Sequence, residues 1–259
     1  MAEFPRRHLF GLDFVTGTTI PAIADALIDH VPVAGSWRSV VTPNVDHLVH
    51  YDHVPSERAV AEASFLLLPD GMPIIWASRL LRRPLDRRLA GSDLFAQLWP
   101  RLSARGVPSV MIAPSDQVAD LLAEEHPALR TVVPPMFDVA DRAAVGAVAD
   151  ATIAAAVDCN ARFVFIAISM PKTHVLAAEL QRRWADRPEP SPTVMLVGAS
   201  PEFHLGLATR APQWMQRIGL EWFHRLLQDP KRLGKRYLVD DMHFLRLVWR
   251  EWRERNTPE

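Results

Sequence analysis

The chain has one cysteine, Cys159, in 259 residues. That excludes an internal disulfide framework and any multi-cysteine zinc or iron–sulfur site. It also lacks any run approaching the ~20 apolar residues that a membrane-spanning helix requires. The opening MAEFPRRHLF has too short an apolar stretch for a secretory leader. A cytosolic protein, or one attached to a membrane from the cytosolic side, is expected. No Gly-x-Ser-x-Gly elbow occurs, which argues against an α/β-type serine hydrolase. No Gly-x-Gly-x-x-Gly occurs, which argues against a nicotinamide-binding strand–turn–helix. No Asp-x-Asp stretch offers a divalent-cation clamp, and the ten histidines show no metal-ligand spacing. Neither a metal nor another cofactor is therefore expected.

What is present is a globular composition, 49% hydrophobic and 23% charged. A chain of this length buries enough apolar surface to fold without staples. The net charge of −1 conceals an asymmetry. The last 50 residues carry a net of +4 and four of the eight tryptophans, against −5 for the preceding 209. A basic, Trp-rich end suits anionic headgroups or phosphates. It suits nucleic acid less well, since the excess is small and no recognition motif accompanies it.

Short β-branched or apolar runs at 39–42, 65–68, 110–113, 131–133, 163–168 and 194–197 alternate with helical patterns. Helices are expected from about 44, through Trp76 and Leu80, through Trp99, and near 116–124, 141–157 and 172–184. This alternation predicts an α/β fold built of βαβ units, a doubly wound parallel sheet. Ligands in such folds bind at the carboxyl ends of strands. Loops 42–46, 69–73, 113–117, 169–174 and 198–204 are therefore the places to look. After about Pro201 the strand pattern stops, and a helical appendage is expected over 205–259, following a sheet domain over 1–204.

Asp70 lies in Pro69-Asp70-Gly71, at the end of one expected strand and ahead of a helix. Two readings stand. Asp70 is turn and capping chemistry, or it is a general base in a partly dry cleft. Two readings stand for the next stretch: Ser92 or Asp93 simply caps the helix, or Arg88 holds a phosphate or a carboxylate bidentately. Arg79, Arg82, Arg83, Arg87 and Arg88 form a dense basic cluster that is either a solvated helix end or an attractor for a diphosphate. In the appendage, Met215, Ile218, Trp222 and Leu226 share one helical face, and Leu245, Val248, Trp249 and Trp252 share another. These faces either pack on the main domain or form an interfacial amphipathic surface with arginines around it. Cys159 reads as a small core residue, and Asp138 and Asp141 read as a helix start.

Thr42-Pro43-Asn44, Pro69-Asp70-Gly71-Met72, Arg88 with Ala90-Gly91-Ser92-Asp93, and the stretch 210–237 occur in order and at fitting spacing. Together they resemble the WecG/TagA/CpsF glycosyltransferase family over roughly residues 8–245. The resemblance implies a Rossmann-like, mostly parallel sheet flanked by helices, with a helical C-terminal appendage. It implies a metal-independent, inverting transfer of a sugar from a UDP donor to a polyprenyl-diphosphate-linked sugar in bacterial cell-surface polymer synthesis. The sugar is often N-acetylmannosamine or its uronic acid, and the setting is peripheral to the inner face of the cell membrane. Asp70 would be the base, with Thr42, Asn44 and Gly71 lining its pocket and Arg88 and Asp93 beside it. Arg210, Arg217, Arg225, Arg232 and Arg236 match the basic residues expected to engage the lipid diphosphate.

Three loops on the nucleotide-sugar side depart from the family pattern. They are Ala113-Pro114-Ser115-Asp116, Ser169-Met170-Pro171-Lys172-Thr173-His174 and Gly198-Ala199-Ser200-Pro201-Glu202-Phe203-His204. Pro171, Lys172, Gly198 and Glu202 are the donor-side candidates they contain, and Lys172 is a cation for the leaving diphosphate. His174 and His204 are either plain hydrogen-bonded histidines or donor contacts. An inactive relative that binds a nucleotide sugar within an assembly complex is the alternative function. Apolar appendage faces leave association with a membrane or with another subunit open.

Overall fold

The computed structural model describes residues 4–209, 211, 212, 215 and 241–256. The chain opens with an antiparallel hairpin, β1 (Arg6–Leu9) and β2 (Leu12–Val15), paired Leu9 to Leu12. Phe10 and Gly11 between them have φ of 56° and 69°. Two left-handed residues in a two-residue loop match the twist of the flanking strands. Helix α1 (Ile20–Asp29) follows, capped by the Thr19 hydroxyl, which accepts from the Ala22 N–H.

Six further strands form one sheet: β3 (Arg38–Val41), β4 (Leu66–Leu67), β5 (Ser109–Ile112), β6 (Leu129–Val132), β7 (Phe163–Ile166) and β8 (Thr193–Leu196). Their order is β4-β3-β8-β7-β5-β6, and every pairing is parallel. The helices between them are α2 (Val45–His53), α3 (Pro55–Glu62), α4 (Met72–Leu80), α5 (Gly91–Ala104), α6 (Asp116–Glu125), α7 (Arg142–Asp158), α8 (Lys172–Trp184) and α9 (Ser200–His204). A last described helix, α10, spans Asp241–Asn256.

The core lies in two layers, one on each face of the sheet. Successive strand residues point to opposite faces. Val41, Val110, Ile112, Val164, Ile166, Val194 and Leu196 meet α2, α3, α4, α7 and α8. Val40, Met111, Phe163, Phe165 and Met195 meet α1, α5 and α6. The central strands β5, β7 and β8 are buried along their whole length. This is why they read as unbroken apolar runs rather than alternating ones. At the start of α7, Asp141 accepts from the N–H groups of Ala143 and Ala144, as its sequence position suggests.

The connection from β5 runs outward to β6, and that from β7 runs back to β8. The loops after these neighbouring strands therefore diverge, which opens a crevice at their carboxyl ends.

Helix α10 folds back onto the sheet domain. Phe244, Leu247 and Val248 are buried, and the Phe244 ring lies 5.6 Å from that of Phe10 in the hairpin turn. Glu251 accepts from the Phe10 N–H and from Arg83, both at 3.0 Å. Asp52 of α2 receives His243 at 2.8 Å and Arg250 at 2.6 Å. Burial alone would raise the pKa of Asp52, but the hydrogen bonds and charges of Arg250 and His243 hold it below the ordinary value.

This corrects one sequence expectation. Val248 does not share a face with Leu245, Trp249 and Trp252. It points inward, whereas those three and Met242 are each more than half exposed. Residues 4 and 7 apart continue one helical stripe, and Val248 belongs with Phe244. Arg217, Arg225, Arg232, Arg236 and Arg210 lie outside the described residues, as do Ile218, Trp222 and Leu226.

Candidate active site

Thr42 and Asp70 follow the adjacent strands β3 and β4, so both stand at the carboxyl rim of the sheet. Backbone hydrogen bonds lace their loops together. The Leu68 N–H donates to Val41 O at 2.8 Å and the Asp70 N–H to Pro43 O at 3.0 Å. The Leu89 N–H donates to Pro69 O at 2.8 Å, which draws the start of α5 to the same place. There Asp70 Oδ2 accepts the Gly91 N–H at 3.1 Å.

Asp70 therefore caps α5, which is not the helix that directly follows it. The residue ahead of α4 is Gly71, which makes no side-chain cap bond. Asp70 instead meets the first residue of α5, where orphan N–H groups and the helix dipole favour a negative charge. Ala90 precedes α5 without a side-chain cap bond, so neither Ser92 nor Asp93 is its cap. Asp93 instead pairs with Arg88 at 3.5 Å.

Two glycines make this approach feasible. A Cβ on Gly91 would lie 2.6 Å from Thr42 Oγ1, closer than atoms tolerate. Gly71 has φ of +150°, a conformation essentially confined to glycine. A Cβ there would lie 4.0 Å from Asn44 Cβ, so Asn44 stands beside the Asp70-Gly71 turn. Thr42, Asn44, Asp70 and Gly71 are all half-buried. Asn44 caps α2, its Oδ1 accepting the His47 N–H at 3.1 Å.

The donor-side candidates lie further along the same rim. Strands are ~4.8 Å apart, so the β7 loop stands roughly 10 Å from β3 and roughly 14 Å from β4. Lys172 opens α8 after the cis Met170–Pro171 bond. Its ammonium sits 4.6 Å over the Phe137 ring and 3.2 Å from Met136 Sδ. Among the described residues it has no carboxylate partner. Gly198, with φ of +49°, lies just beyond β8, its N–H reaching Ile166 O at 3.2 Å. The backbone carbonyl of Glu202 accepts from Leu207 and Ala208.

Two histidines in these loops face elsewhere. His204 bonds Glu125 Oε2 at 2.9 Å, the oxygen that also accepts Trp99 Nε1–H at 2.8 Å. His174 is buried, with Nε2 2.6 Å from the Tyr51 hydroxyl. Burial first, then the neighbouring His47 and His50, press its pKa down to about 3. Burial raises that of Tyr51.

The structure thus gathers Thr42, Asn44, Asp70, Gly71, Arg88 and Asp93 at one end of the rim. Pro171, Lys172, Gly198 and Glu202 stand on the neighbouring strand ends. Arg83 is tied to Glu251 and Arg88 to Asp93, so the five-arginine run is not a uniform free cationic patch. Sequence reasoning missed the roles of Gly91, His47 and Phe137. Only His47 left a signal, three residues after a capping Asn. Among the described residues, no group of three His, Cys, Asp or Glu is placed to hold a metal ion.

The parallel sheet flanked by helices is a Rossmann-like α/β fold, with Asp70, Thr42 and Asn44 on neighbouring loops at its carboxyl rim. The model of the WecG/TagA/CpsF family of glycosyl transferases matches residues 7–258, and the chain belongs to that family. It is thus placed among glycosyltransferases of bacterial cell-surface polysaccharide synthesis, which use a sugar donor and a lipid-linked acceptor.

Proposed function

We propose that this chain is an inverting, metal-independent glycosyltransferase. It moves a sugar of N-acetylmannosamine type, glucose or a relative from a UDP donor to a polyprenyl-diphosphate-linked saccharide. The observation that carries the reading is the Asp70 carboxylate, anchored through Oδ2 to the Gly91 N–H beside Thr42 and Asn44.

In the reaction, Asp70 takes the proton of the acceptor hydroxyl. The hydroxyl oxygen forms its bond to the anomeric carbon, and the bond from that carbon to the diphosphate oxygen breaks on the opposite face. UDP leaves with the electron pair. Positioned cations and helix amino ends stabilise such developing charge. Lys172 supplies one from the β7 loop. Arginines of the appendage add to it, and Arg210, Arg217, Arg225, Arg232 and Arg236 also hold the lipid diphosphate of the acceptor. Arg88, paired with Asp93, steadies the wall of the acceptor pocket. Pro171, Gly198 and Glu202 shape the donor side.

The outward stripe of α10, Leu245, Trp249 and Trp252 with Arg253 over the Trp249 ring, suits the headgroup region of an anionic bilayer. Among the described residues no helix is long and apolar enough to cross a membrane.

The test is a panel of UDP-sugars run against short-chain polyprenyl-diphosphate sugars. UDP release should match a glycolipid product of inverted anomeric configuration. Tight UDP-sugar binding with no turnover for any pair would favour a scaffold instead.

A further inference from the structure

Asn44 and His47 grip each other in a way the reaction above does not use. In the usual capping box, the third helical residue is Glu or Gln, and it reaches back to the cap's N–H. Here it is an imidazole. Two atoms of His47 converge on Asn44 Oδ1, the backbone N–H at 3.1 Å and Nδ1 at 2.7 Å. A backbone N–H can only donate. The amide atom it meets is therefore the carbonyl oxygen and not the NH2, which fixes the orientation of the amide. An oxygen that accepts at 2.7 Å then requires a proton on Nδ1. The Asn44 N–H also points at this Nδ1, at 3.4 Å, and would need it without a proton; the two contacts exclude each other, and the shorter one decides for the proton.

Both lone-pair directions of Oδ1 are thus occupied. Asn44 Nδ2 makes no hydrogen bond to any described residue, so the amide's remaining capacity is to donate. It sits beside the Asp70-Gly71 turn, as the 4.0 Å approach to Gly71 shows.

The His47 ring is itself seated on a neutral neighbour. It lies 5.5 Å from the His174 ring and 6.2 Å from that of Tyr51. His174 of α8 bonds Tyr51 of α2, and His50 of α2 pairs with Glu57 of α3 at 3.0 Å.

We infer that His47 is a positioning residue that locks Asn44 as a hydrogen-bond donor, so that the Asn44 NH2 recognises an acceptor oxygen of the bound substrate. A sugar carbonyl or a diphosphate oxygen meets that requirement. The inference rests on the strand-end site proposed above, and its test separates the two.

Full-length protein labelled with 15N-histidine, observed near pH ~8 where an ordinary imidazole is neutral, reports which ring nitrogen carries the proton. His47 should be protonated on Nδ1 and bare on Nε2. The opposite tautomer overturns the lock, whether or not any donor is turned over. Asn44→Asp keeps a good helix cap but replaces two donors with an acceptor. It should lower kcat/KM about tenfold or more, one lost hydrogen bond or above, at an unchanged melting temperature. His47→Gln keeps the backbone N–H bond to Oδ1 but removes the imidazole N–H, and should lower kcat/KM by a smaller factor. Wild-type kcat/KM in Asn44→Asp would overturn the assignment. A wild-type protein inactive with every donor would sink the transferase reading while leaving the tautomer result to decide the lock.

Discussion

Asp70, Gly91 and Thr42 form a mutually dependent group. Asp70 Oδ2 needs the Gly91 N–H, and Gly91 can come that close only because it carries no side chain against Thr42. Gly91→Ala should therefore destabilise by about 1–3 kcal/mol, the usual cost of overpacking, and lower activity as Thr42 is displaced. Adding Thr42→Ala removes the two nearest atoms in conflict, Oγ1 and Cγ2. The double variant should recover much of the melting temperature but not the activity, a non-additivity expected of touching residues. Additive losses would show that the two side chains do not compete. Gly91 was visible in the sequence only as part of a motif. Its reason, the threonine just after β3 and 49 residues earlier in the chain, belongs to tertiary packing and leaves no local pattern.

At the scale of elements, the pairing of α2 with α8 has a pH signature. An unfolded chain protonates His174 near its ordinary value of 6.5, whereas the folded chain resists until about 3. Between those values the unfolded state binds more protons, so stability falls as pH falls through that window. The term is fully favourable to folding above ~6.5 and exhausted below about 3. Calorimetry of His174→Gln against wild type should show a shallower loss of melting temperature from neutral to acidic pH. Parallel curves would contradict a buried neutral imidazole.

Helix α10 has its own fastening. Glu251→Ala strands the Phe10 N–H and releases Arg83, at a cost of about 1–3 kcal/mol. Faster hydrogen exchange over 241–256 should report it, and unchanged protection would mean that the apolar contacts suffice alone.

The six parallel strands were legible because β5, β7 and β8 are buried on both faces and read as continuous apolar runs. The β1–β2 hairpin was not. Its turn places Phe10, rather than the customary Asn or Gly, in a left-handed conformation. Capping was one of two readings the sequence left open for Asp70, and its reach to α5 had no local signal, because the backbone bond from Leu89 to Pro69 is what brings that helix close. The face of α10 that turns inward was likewise set by a partner, the Phe10 ring, that periodicity cannot locate.

For the whole molecule, the account puts chemistry at one end of a sheet and an apolar, cationic stripe on the last helix. Trp249 and Trp252 remain 57% and 51% exposed although α10 is docked. Vesicles containing phosphatidylglycerol should sediment the protein, and salt should weaken the association as it screens the arginines. Trp249→Ala with Trp252→Ala should reduce sedimentation severalfold. Binding that ignores both salt and the two tryptophans would place the membrane contact elsewhere.

The most direct measurement is the rate of UDP release from an accepted donor and a polyprenyl-diphosphate sugar, wild type against Asp70→Asn. Asn can still accept the Gly91 N–H, so the loop and α5 keep their arrangement while the proton acceptor is lost. The account predicts a fall of roughly 10²–10⁴ in kcat, the span of general-base catalysis, with the fold intact. An Asp70→Asn variant that turns over within a few fold of wild type would contradict it.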